Sequence, residues 1–143
     1  MISVKHLPFL LLLAGCSSPQ EEDCPLRPAF QLRLVTAGAK PLPSDTVLRV
    51  KYGGGVEEYR LDEAVHSQEN VFCQHRDVDG GPVEAGASVN ELSCVLWTQG
   101  AADISVEASG YPDLEKTLEA KGKNRCIETV DVTLTLDAGD GGP

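Results

Sequence analysis

Positive charge is scarce in this sequence: 12 lysines and arginines stand against 22 aspartates and glutamates, for a formal net charge of −10 at pH 7. Such a chain is repelled by nucleic-acid phosphates and by anionic lipid surfaces, so nucleic-acid binding is not expected. Long apolar runs are lacking too. The most apolar stretch, Leu7 to Ala14, is interrupted by Pro8 and falls far short of the roughly 20 residues that cross a bilayer as a helix. There is no Gly-x-Ser-x-Gly, no His-Glu-x-x-His and no phosphate-binding glycine loop, which removes the motif grounds for a serine hydrolase, a zinc protease or a nucleotide-binding enzyme. Close Cys-x-x-Cys spacing is absent, and only Cys73-Gln74-His75 sets two metal ligands near each other, so a zinc site is not expected. Nor is there an internal repeat. No catalytic residue, metal or cofactor is expected from these absences.

What the chain does have begins at its front end. A weakly basic start, Lys5-His6, leads into the short apolar stretch and then into Leu13-Ala14-Gly15-Cys16. That order is the charged, apolar and small-residue sequence of a secretory signal. Leu13-Ala14-Gly15-Cys16 resembles the lipobox of bacterial lipoproteins. The resemblance implies a signal over residues 1–15, cleavage after Gly15, and acyl groups on the sulfur and new amine of Cys16. More than one acyl chain holds firmly where a single chain binds only marginally. Ser17 follows, with no aspartate beside the cysteine, which in these lipoproteins implies the outer membrane. The polar segment Ser17 to Asp23 has no apolar residue to bury; residues 16–23 read as a lipidated cysteine on a flexible tether.

Cys24, Cys73, Cys94 and Cys126 remain once Cys16 carries lipid. In an exported domain an even number of cysteines is expected to form disulfides. Of the three connectivities that four cysteines allow, Cys73–Cys94 with Cys24–Cys126 is favoured. The first closes the excursion between two neighbouring strands; the second fastens the start of the domain to its last strand.

Period-two alternation dominates residues 24–137. Apolar side chains alternate with polar ones over Phe30 to Val35, Leu48 to Tyr52, Ile104 to Ser109 and Val130 to Leu136, and more weakly over Glu57 to Leu61, Val71 to His75, Leu92 to Thr98 and Leu114 to Ala120. One apolar and one polar face per strand is the signature of an antiparallel sheet. Strands of this length and spacing predict an all-β fold, a single antiparallel β-sandwich of about seven to eight strands. Gly53-Gly54-Gly55 predicts a tight hairpin, Asp77 to Ser88 a long exposed loop, and Lys121 to Asn124 a turn. Leu61 to Gln68 suits one or two helical turns. The tail, 138–143, is expected to fray.

Two segments carry a family resemblance. The first is Gly38-Ala39-Lys40-Pro41-Leu42 with Val47-Leu48-Arg49-Val50 after it; the second runs from Gly100 through Ile104-Ser105-Val106-Glu107-Ala108-Ser109-Gly110-Tyr111 to Val130–Leu136. Together they resemble the carboxypeptidase regulatory-like domains, which share the transthyretin-like β-sandwich. The resemblance implies a non-catalytic accessory or adhesion-like module. Gly110 would permit a sharp bend, and Tyr111 would cap the sandwich edge with its hydroxyl in water.

The functional expectation is therefore a lipid-anchored envelope protein whose partner is an envelope protein or a glycan. Two alternatives are kept. A metal-assisted hydrolase would use His66 and His75, although both are read as lying on polar, exposed segments. A carbohydrate-binding module would use Trp97 with Tyr52 or Tyr59. If Leu92, Cys94 and Leu96 face the core, Val95 and Trp97 face the other way; cover of that face by a loop such as Asp77 to Ser88, or a slip of register near Trp97, is the favoured expectation. Glu57 and Glu58 are adjacent on a strand and point to opposite faces, so they share no carboxylate site. Asp77-Val78-Asp79-Gly80-Gly81 lacks the further ligands of a calcium loop.

Overall fold

A computed structural model describes residues 15, 23–64, 66, 68–84, 87–123 and 126–139. Cys16, and with it nearly all of the signal and tether segments, lies outside the described residues. Those described contain ten strands and no helix: β1 (Phe30–Thr36), β2 (Val47–Tyr52), β3 (Gly55–Arg60), β4 (Val71–Arg76), β5 (Glu91–Leu96), β6 (Ala102–Glu107), β7 (Leu114–Leu118), β8 (Lys121–Lys123), β9 (Cys126–Glu128) and β10 (Val130–Leu136). The fold is an all-β sandwich. One sheet has the order β10-β1-β5-β4 and the other β3-β2-β6-β7, with β8 and β9 forming a separate small hairpin.

The alternation read from sequence becomes the core. Phe30, Leu32 and Leu34 of β1, Leu92, Cys94 and Leu96 of β5, and Leu134 and Leu136 of β10 are buried from one sheet; Leu48 and Val50 of β2 and Ala102, Ile104 and Val106 of β6 meet them from the other. Gly53 and Gly54 form the turn between β2 and β3. Gly110 adopts φ +81°, a conformation open to glycine at little cost, and the Tyr111 beside it packs half-buried against the core.

Three expectations are corrected. The sheets are not wholly antiparallel: β1 and β10 pair in parallel, Phe30 opposite Val130 and Thr36 opposite Leu136. Period-two alternation reports which face a residue occupies and is blind to strand direction. The expected turn at Lys121 to Asn124 includes instead the whole of β8, paired antiparallel with β9, so the strands exceed the expected count. Helical turns over Leu61 to Gln68 do not form among the described residues; Leu61 and Asp62 form a turn and Ala64 a bend.

Both disulfides have the favoured connectivity. Cys73 and Cys94 are direct cross-strand partners in β4 and β5, with Cα atoms 4.1 Å apart, a narrow pair facing the core. Cys24 joins Cys126, which sits in β9 just ahead of the last strand.

Candidate functional site

The β3 edge of one sheet and the β4 edge of the other are tied together along one side of the sandwich. On β3, Glu57 and Tyr59 share a face, two residues apart, and both reach across to the other sheet. Glu57 accepts hydrogen bonds from the backbone amides of Glu69, at 2.8 Å, Asn70, at 3.1 Å, and Val71, at 3.3 Å. It also accepts the Tyr52 hydroxyl proton, at 2.6 Å. Asn70 Nδ2 in turn donates to the Tyr52 hydroxyl at 3.0 Å. One carboxylate thus fixes the approach to β4, the Tyr52 phenol and, through it, the Asn70 amide. Partial burial pulls the Glu57 carboxyl up in pKa, but the bonds from Tyr52 and the three amides outweigh it and hold the group below the ordinary glutamate range. At Tyr52, donation from Asn70 favours the ionised phenol, yet the Glu57 carboxylate and burial prevail and raise its pKa.

Further along the same edge, the Tyr59 hydroxyl lies 2.8 Å from His75 Nε2, and the His66 ring stacks on the Tyr59 ring with centroids 3.8 Å apart. The two histidines are half-buried around this tyrosine, which corrects their placement on exposed segments. The reason is Tyr59, 6% exposed and the one fully buried side chain of β3; its polar end needs a partner inside the sandwich. Among the described residues, no group of three or more His, Cys, Asp or Glu is disposed to hold a metal ion.

Burial, reinforced by the like charge of His66, depresses the pKa of His75 below the usual histidine value. The folded chain therefore resists protonation that the unfolded chain accepts at about pH 6.5. Unfolding takes up a proton in that range, so stability falls as pH drops through about 6.5 and levels off below the folded-state value. Thermal denaturation followed from pH 7.5 down to 5.5 is expected to show this decline, and His75→Gln, which keeps a hydrogen-bonding group for Tyr59, to flatten it. An undiminished slope in the variant would assign the effect elsewhere.

The second place where the sheets meet is one end of the sandwich. Tyr52 at the end of β2, the Gly53-Gly54 turn, Asn70 just before β4, and Trp97, Thr98 and Gln99 just after β5 line one open groove of about 350 Å³. Gly54 closes against Tyr52: a Cβ there would lie 2.9 Å from the ring carbon Cε2. Trp97 is 43% exposed. Among the described residues the expected loop cover is absent, because the pairing of Val71 with Leu96 and Arg76 with Glu91 puts Asp77, where that loop begins, at the far end of β4. There residues 77–81 fold on themselves, Asp77 accepting the amide protons of Asp79 and Gly81. The ladder continues in register to Trp97, whose amide donates to the Asn70 carbonyl at 2.7 Å. Thr98, turned inward, is 3% exposed, and its hydroxyl has no hydrogen-bond partner among the described residues.

Of the aromatic residues singled out in the sequence, Tyr52 and Trp97 share this groove and Tyr59 does not. Asn70, Thr98 and Gln99 were missed. They lie at or just beyond strand ends, and nothing local marks a residue that meets a turn about 16 to 46 positions away. Comparison with protein-family models, with curated proteins and with solved structures found no match. Among the described residues, no helix is long and apolar enough to cross a membrane.

Proposed function

We propose that the chain is a lipid-anchored protein of the outer membrane, held by acyl groups on Cys16, whose β-sandwich is a non-catalytic binding or structural module of the cell envelope. The observation that carries this reading is the use of the cysteines. The two disulfides take Cys24, Cys73, Cys94 and Cys126, and Cys16 is the fifth, directly behind Leu13-Ala14-Gly15. Two disulfides, one of them in the core, suit an oxidising, exported setting. An acylated cysteine at the head of a polar tether suits a folded body moored to a bilayer. The Gly110-Tyr111 turn supports treating that body as an accessory module of the carboxypeptidase regulatory-like kind.

The test is metabolic labelling with a palmitate analogue in a Gram-negative host, with Cys16→Ala in parallel. The expected result is label on the wild-type chain in the outer-membrane fraction, and an unlabelled variant released from it. A wild-type chain that carries no acyl group, or a variant that stays labelled, overturns the proposal.

A further inference from the structure

We propose that the groove between Tyr52 and Trp97 binds a neutral pyranose ring of a glycan. This deepens the reading of the sandwich as a binding module and rests on it. Every side chain lining the groove is uncharged: Tyr52, Asn70, Trp97, Thr98 and Gln99, with the Gly53-Gly54 turn between. In a chain of 22 acids and 12 bases, a groove free of both selects against charged ligands, because an ion leaving water finds no counter-charge there.

What the lining offers fits a sugar. A pyranose has a C–H face and a rim of hydroxyls that both donate and accept. Trp97 supplies a flat, exposed indole for the C–H face. Asn70 and Gln99 carry amides for the rim; Asn70, which gives one amide proton to the Tyr52 hydroxyl, keeps its acceptor oxygen and its second proton. The volume of about 350 Å³ lies at the small end of ligand sites, the scale of one or two sugar rings rather than of a protein surface.

One feature shows a site set before its ligand arrives. Tyr52 and Asn70 are locked by Glu57, so two walls need no ordering on binding.

Trp97 is the sole tryptophan, so its fluorescence reports on this groove alone. The full chain in detergent is titrated with cellohexaose, chitohexaose and maltohexaose to about 10 mM, with oligogalacturonate as the charged arm. At least one neutral oligomer is expected to shift the emission saturably, and the charged one to leave it unchanged. By calorimetry, Trp97→Ala is expected to weaken binding about 10-fold or more. The same titration on Cys16→Ala separates the groove from the anchor: binding there survives whether or not lipidation holds. No response to any neutral oligomer, tighter binding of the charged one, or affinity unchanged in Trp97→Ala overturns the proposal. So does cross-linking to an envelope protein through position 97 in a chain that ignores sugars.

Discussion

Replacing Cys73 and Cys94 together by alanine is expected to lower the unfolding free energy by about 3 kcal/mol, and replacing Cys24 and Cys126 by serine to cost less, about 1–2 kcal/mol. Loop length alone argues the reverse. The sequence separations are 21 for Cys73–Cys94 and 102 for Cys24–Cys126, and closing a longer loop removes more entropy from the unfolded chain. The native state decides the order. Cys73 and Cys94 stand in register in two paired strands, both facing the core, so cutting their link leaves the folded chain as constrained as before. All the freedom gained goes to the unfolded chain, and the space left by two buried sulfurs adds to the loss. Cys24 lies instead in an exposed segment without strand structure, where Leu26 is 94% exposed. Beyond the disulfide, the Pro28 carbonyl takes the Thr129 hydroxyl proton at 2.8 Å, near the segment's end. Once Cys24 is released, residues 23–27 gain freedom in the folded state too, which cancels much of the unfolded-state gain. Urea midpoints of the two double variants, compared at equal m-value, give the order directly. A larger loss from the Cys24–Cys126 pair would mean that the leading segment is as firmly held as β4.

This contrast also marks how far the sequence reaches. Alternation over Phe30–Val35 and Val130–Leu136 assigns each side chain to a face, because burial on one side of a pleated strand imposes a period of two. It could not reveal that β10 runs parallel to β1, since the side-chain pattern is the same in either direction. Cys73 and Cys94 were legible as a pair because they fall in two neighbouring strands and close the excursion between them. Tyr59 was harder: β3 buries that one side chain fully, and one buried residue sets no period. The same holds for the candidate groove. Trp97 could be placed on the outer face by counting from Leu92, Cys94 and Leu96. Its neighbours Tyr52 and Asn70 arrive from β2 and from the approach to β4, and only the closure of two sheets on each other brings them near. Local physics writes faces and turns into a sequence; the meeting of two edges is a property of the whole chain.

Glu57→Gln is expected to cost about 2 kcal/mol at pH 7, a large loss for a surface edge, and the cost is expected to shrink as the pH is lowered. The magnitude follows from the bonds. Hydrogen bonds to an ionised acceptor contribute about 1.5–3 kcal/mol, and this carboxylate takes three backbone amides and a phenol at once. Glutamine keeps the shape and one carbonyl oxygen, but its NH₂ turns toward donors and its charge is gone. At least one amide of residues 69–71 then loses its acceptor. The pH dependence follows from the sign of the shift. The folded-state pKa of Glu57 is depressed, so its contribution is complete above the unfolded value, near 4.3, and is lost as the pH falls through the folded value. Below that point wild type carries a neutral carboxyl in the same place, and the two chains should converge in stability. A cost that stays constant from pH 7 to about pH 3 would mean that the side chain acts by packing and that its charge contributes nothing. Because Glu57 also braces Tyr52 and Asn70, the variant carries a second consequence that packing elsewhere on β3 does not. The single tryptophan borders those two residues, so its emission in Glu57→Gln should shift toward that of a more solvated indole, whereas Glu58→Gln, whose side chain pairs with Arg49 on the outer face at 2.9 Å, should leave it unchanged.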